Sequence, residues 1–179
     1  IRIEDQDFAA SSNPVYDDSD TFNVKGTATI TAPVGGNVWF AGQQHNIVWD
    51  RTGNIGNVDL YYNVDGGAWT LIAGGVASPQ PTGNSFPWTL PSNNIVTTDM
   101  KVQIQGANLL SPETSAGIQV KGFITLVYPD VAGIERTLGE TLQVTWTQAG
   151  DIGNVQVDYN DGGGWATITS TAPQNGPFN

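Results

Sequence analysis

Two acidic runs near the start of the chain contain the residue type that binds calcium. Their members are Glu4, Asp5, Asp7, Asp17, Asp18 and Asp20. Calcium prefers clusters of oxygen ligands, and calcium between domains can stiffen a tandem array. However, the spacing matches no EF-hand loop, and acidic surface loops are commonly just solvated. The sequence leaves both interpretations open, and it indicates no cofactor other than calcium.

Three aromatic residues are candidates for stacking on sugar rings. They are Trp39, Tyr61 and Trp69. If their rings are exposed, they predict a carbohydrate-binding surface. The alternative is that these large side chains close the ends of a β-sandwich, where they contribute buried area.

Residues for catalysis are scarce. His45 is the single histidine and there is no cysteine, so no second His or Cys could complete a zinc site or a nucleophile–base pair. His45 also aligns with Leu142 in an internal repeat, which favours a structural position at the edge of a core. We therefore expect no catalytic residues and no enzyme.

Charge and hydropathy exclude further classes of function. The net charge is −11 with only six Lys and Arg residues, so the basic patch that a phosphate backbone requires is missing and nucleic acid is not an expected partner. No apolar run approaches the ~20 residues that span a bilayer, so we expect no membrane insertion.

The elements that position these residues are organised by an internal repeat. Residues 29–72 return as residues 125–168, with Trp49 matching Trp146 and Trp69 matching Trp165 at offsets of 97 and 96. A fixed period of this kind is typical of repeat architectures.

The repeat predicts three segments. Residues 1–26 are read as the last strands of a preceding repeat, 27–122 as one complete repeat and 123–179 as the first strands of a following one. The linkers are almost absent, which predicts domains stacked end to end. A continuing covalent array explains this pattern. The alternative is that the head donates its strands to the tail of a neighbouring copy.

Short apolar runs separated by Gly, Pro and Asn turns predict an all-β fold. In the complete repeat we expect strands near 28–32, 44–50, 57–64, 68–73, 85–90, 100–106 and 117–121. Seven short strands suit an immunoglobulin-like antiparallel β-sandwich. Period-two alternation puts two sets of side chains on the core face: His45, Ile47 and Trp49, and Val58, Leu60 and Tyr62.

One pattern in the complete repeat resembles a known family. The matching residues are Ile30-Thr31-Ala32-Pro33, Gly36, Trp39, Ala41-Gly42, Ile47-Val48-Trp49, Val58-Asp59-Leu60, Trp88-Thr89-Leu90-Pro91 and Val102-Gln103-Ile104. They resemble the Ser/Thr-rich GPI-anchored domain of fungal cell-wall proteins (the KNH type), which also forms tandem repeats in large bacterial surface proteins. The resemblance implies an immunoglobulin-like sandwich in an extracellular structural, cell-wall or adhesive protein, without catalytic residues.

These observations predict a structural segment of a long extracellular tandem-repeat protein: a surface fibre, filament, spacer, or the stalk of a surface layer or adhesin. Its expected partners are neighbouring repeats or copies of the same protein. The first alternative is a carbohydrate- or partner-binding module of a secreted enzyme or adhesin. The second is a subunit of a head-to-tail fibre assembled by strand donation.

Overall fold

The computed structural model describes residues 1–6 and 15–178. All of the regular secondary structure in these residues is β, in fifteen strands. The first two, β1 (Arg2–Glu4) and β2 (Tyr16–Asp18), form an antiparallel pair.

Residues 27–122 contain the next nine strands. They are β3 (Thr27–Ala32), β4 (Val38–Phe40), β5 (Gln44–Thr52), β6 (Val58–Val64), β7 (Thr70–Val76), β8 (Asn84–Thr89), β9 (Thr97–Gln105), β10 (Glu113–Thr114) and β11 (Ile118–Lys121). They form two sheets. One has the order β3-β5-β8, and the other has the order β4-β11-β9-β6-β7 with β10 also paired to β9. All of these pairs are antiparallel except β4 with β11.

The core lies between these two sheets. Ile47 and Trp49 of β5 are fully buried on one side, and Leu60 of β6 with Val102 and Ile104 of β9 are fully buried on the other. Successive strand residues point to opposite faces, so each sheet covers the core with every second residue. The predicted all-β, immunoglobulin-like sandwich class is confirmed.

The seven predicted strands of the complete repeat are all present, within a few residues of the expected bounds. Sequence patterning missed β4 and β10 because three and two residues are too short to show a period. The Asp-Gly turn between β6 and β7 has the positive φ values that a tight primed turn requires, 50° at Asp65 and 72° at Gly66.

The last four strands are β12 (Phe123–Tyr128), β13 (Thr145–Ala149), β14 (Val155–Asn160) and β15 (Trp165–Ala172). They form two separate antiparallel pairs, β12 with β13 and β14 with β15. Leu126 lies opposite Trp146 just as Ile30 lies opposite Trp49. The repeat in the sequence is thus also a repeat in strand register.

Candidate functional site

The acidic runs near the start of the chain are partly neutralised by an arginine. Arg2 and Asp18 lie directly opposite each other on β1 and β2, and Arg2 Nε and Nη2 donate to the two carboxylate oxygens at 2.8 and 2.9 Å. The guanidinium also lies 4.5 Å from the centre of the Tyr16 ring. The hydrogen bond from Arg2 lowers the pKa of the Asp18 carboxyl.

The predicted calcium site does not form among residues 1–6 and 15–178, where no three His, Asp or Glu side chains come close enough to hold a metal. Asp18 faces Arg2, and strand alternation turns Asp17, which lies opposite Ile3, to the other face. Glu4 lies opposite Tyr16, and Asp20 follows the end of β2. The remaining members of the set are Asp5, whose carboxylate accepts a hydrogen bond from the Val15 amide at 3.4 Å, and Asp7, which lies outside the described residues.

The expectation of an exposed Trp39 is wrong. Its side chain is only 6% exposed, because β4 pairs with β11 and turns the ring into the core. The ring stacks on His45 with centroids 4.5 Å apart and packs edge-on against Trp88. Tyr61 on β6 and Trp69 just before β7 are half-buried. The three predicted rings therefore do not form one exposed stacking surface.

His45 lies at the edge of the core, stacked flat on Trp39. Its Nε2 atom is buried and has no hydrogen-bond partner among the described residues. Burial lowers the pKa of the imidazole, because the charged form loses hydration that nothing replaces. The geometry suits a neutral packing residue.

The residue that joins one repeat to the next is a glycine with almost no free space. A Cβ added to Gly26 would meet the Thr52 carbonyl oxygen and would lie 2.6 Å from Ile55 Cγ2. At the equivalent Gly122 it would meet Ile152 Cγ2 and would lie 2.6 Å from the Ala149 carbonyl oxygen. The same close contact between backbone segments is thus built at both junctions, which the paired Lys-Gly dipeptides at 25–26 and 121–122 signal in the sequence.

The second junction also carries contacts between consecutive repeats. The Gly150 amide donates to the Ser92 carbonyl at 2.7 Å, and the Ala41 amide donates to the Lys121 carbonyl at 2.9 Å. The Cα of Gly150 sits so close to Val96 that a Cβ there would lie 2.7 Å from Val96 Cγ2. Ala149 is buried and belongs to the same core cluster as Trp49 and Leu60. The two repeats are therefore connected by packing as well as by the chain.

Comparison with known proteins assigns no family. No family model and no curated protein matches the chain. Among solved structures, the fibronectin(III)-like modules of Clostridium thermocellum CbhA match 85% of this chain and 77% of that chain at 19% identity, with a TM-score of 0.28. A TM-score this low carries no argument, so the fold class rests on the strands described above. The resemblance to the Ser/Thr-rich GPI-anchored domain stays a prediction. Within the described ranges, no helix is long and apolar enough to span a membrane.

We predict that stability falls with pH through the titration of His45. Because its pKa is lowered in the folded state, the unfolded chain binds the proton more tightly, and folding loses stability as the pH falls below about 6.5. Thermal unfolding midpoints at about pH 7.5 and about pH 5.5 measure this loss. His45→Leu, which installs the residue found at Leu142, should shrink the difference. An unchanged difference in that variant would assign the effect to other groups.

We predict that Gly26→Ala destabilises the protein by about 1–3 kcal/mol, because the new methyl group has no room beside Thr52 and Ile55. Urea unfolding monitored by tryptophan fluorescence measures the change. Gly106→Ala is the matched control, since its Cβ would lie no closer than 3.4 Å to any neighbour. Equal losses in the two variants would contradict a steric origin at the junction.

Proposed function

We propose that this chain is a structural segment of a long extracellular tandem-repeat protein, such as a surface fibre, filament, spacer or stalk. The observation that carries the proposal is the junction between repeats. β11 ends at Lys121 and β12 begins at Phe123, so Gly122 is the single residue between them. A connection this short, closed by close backbone packing, supports transmission of force along the chain.

The first junction supports the same role. Gly26 donates its amide to the Asn108 carbonyl and accepts from the Leu110 amide, both at 2.9 Å. The joining residue is thus tied to the loop after β9 as well as to the turn after β5. A repeat that anchors its own linker limits bending at the point where a tandem array is weakest.

Surface chemistry is consistent with this proposal. Seventeen acidic residues against six basic ones keep such a segment soluble and repel nucleic acid. We propose an extracellular or cell-surface location, neighbouring repeats or copies of the same protein as partners, and no catalytic role.

A second candidate function is carbohydrate or partner binding. It is favoured by one observation, the exposure of Trp165, whose side chain is 77% exposed at the start of β15. Trp165 is the repeat equivalent of Trp69, and Tyr159 on the adjacent strand is also exposed. An exposed indole is a platform on which a sugar ring can stack.

We expect a fixed distance between consecutive repeats. Because the chain has no cysteine, spin labels can be placed at Thr98→Cys and Ser170→Cys, two exposed positions on β9 and β15. Electron–electron double resonance should give a narrow distance distribution, and insertion of Gly-Ser-Gly-Ser after Gly122 should broaden it. The control pair Ser85→Cys and Thr98→Cys lies within one repeat and should not respond. Equally broad distributions with and without the insertion would overturn a load-bearing junction.

A glycan-array screen separates the two candidate functions. A structural segment predicts no glycan signal that depends on Trp165. A signal lost in Trp165→Ala and retained in Trp165→Phe would instead support stacking on a sugar and favour the binding module.

A further inference from the structure

Residues 123–178 contain an open apolar groove of about 420 Å³ between the β12–β13 pair and the β14–β15 pair. Its lining includes Leu126, Leu142, Tyr159 and Ile168, which are between 38% and 51% exposed. In the complete repeat the equivalent space is filled core, with Ile47 and Leu60 fully buried. A contiguous exposed apolar surface of this kind favours a partner.

One edge of β14 is open beside this groove. Within residues 1–6 and 15–178, β14 pairs only with β15. Its counterpart β6 pairs with β7 on one side and with β9 on the other, where Leu60 lies opposite Ile104 and Tyr61 opposite Gln103. The strand that completes β14 should therefore have the character of β9.

β1 has that character. It pairs with β2 in the register that β9 uses with β10: Ile3 lies opposite Asp17, as Ile104 lies opposite Glu113. In the described residues β1 pairs only with β2, so its other edge is open. Ile1 and Ile3 are 78% and 76% exposed, although the equivalent Val102 and Ile104 are fully buried.

The charges match when the register of β6 and β9 is transferred to β14 and β1. Ile3 then stands opposite Val157, Arg2 opposite Asp158, and Glu4 opposite Gln156. Alternation puts Ile3 and Val157 on the groove face and Arg2 and Asp158 on the outer face. Arg2 uses two of its five N–H groups on Asp18, which leaves donors for a second carboxylate.

We propose that β1 of one copy pairs antiparallel with the open edge of β14 of a second copy, with Ile1 and Ile3 entering the groove and Arg2 pairing with Asp158. This is strand addition between unlike surfaces, so it propagates head to tail and need not close on itself. It rests on the proposed structural role, because it names a second copy of this chain as the partner of that segment.

The first test is sedimentation velocity on the whole chain over a range of concentrations. We expect a series of head-to-tail oligomers that weakens with added salt. Asp158→Arg places two positive charges opposite each other and should raise the dissociation constant by about tenfold or more. Asp151→Arg makes the same charge change at an exposed position off the β14 edge and should leave association unchanged. A chain that stays monomeric at all concentrations would overturn the proposal.

A charge swap tests the register itself. The triple variant Arg2→Glu, Asp18→Arg, Asp158→Arg keeps an ion pair between β1 and β2 and restores opposite charges between β1 and β14. It should recover the association that Asp158→Arg alone has lost. Association that stays weak, in a variant whose circular dichroism matches the parent, would contradict the Arg2–Asp158 contact.

Disulfide trapping gives an independent measurement, because the natural chain has no thiol to interfere. A mixture of Ile3→Cys and Val157→Cys chains of different tag length should form a covalent heterodimer on oxidation. The matched mixture of Ile3→Cys and Gln156→Cys should form much less, since Gln156 lies on the other face. Equal trapping in both mixtures would overturn the register. Failure of this pairing would leave the spin-label result on the junction untouched, so the inference and the proposed function fail separately.

Discussion

The close approach of two backbone segments at each repeat junction is the constraint on which the rest of this structure depends. Gly26 approaches the turn after β5, and Gly122 approaches the turn after β13, so closely that a methyl group fits at neither position. The facing turn residues Gly53 and Gly150 have φ values of 78° and 85°, a region that residues with a Cβ rarely occupy. Glycine is thus needed on both sides of the contact, and the end of one repeat is fixed against the start of the next.

Much of the fold follows from features that the sequence displays directly. The alternation at Ile47 and Trp49, and at Val58 and Leu60, predicts which face each strand buries, because side-chain direction has a period of two residues. Self-similarity adds a second constraint. Two segments with matching turns and apolar positions must pair their strands in the same register, which is why β12–β13 repeats β3–β5.

The candidate site residues were harder to predict because their surroundings are set by distant parts of the chain. Trp39 is buried by a parallel pairing between β4 and β11, which aligns it with Val120, and no local pattern announces such a pairing. Asp18 belongs to an acidic run in the sequence, yet the register of β1 and β2 places it opposite a lone arginine. Composition predicts carboxylates close together, whereas strand geometry separates them to opposite faces.

Specificity is the remaining requirement for any strand that adds to a repeat with open edges, because near-identical edges invite wrong pairing. Charge supplies a basis for discrimination here. Within the complete repeat, the residue of β6 in the register position of Asp158 is Tyr61, which faces the neutral Gln103. Beside Tyr61, Arg2 would gain no carboxylate, whereas beside Asp158 it would. The apolar face of β1 suits the core of any repeat, so the single exchange of Tyr61 for Asp158 directs β1 towards β14 rather than towards β6.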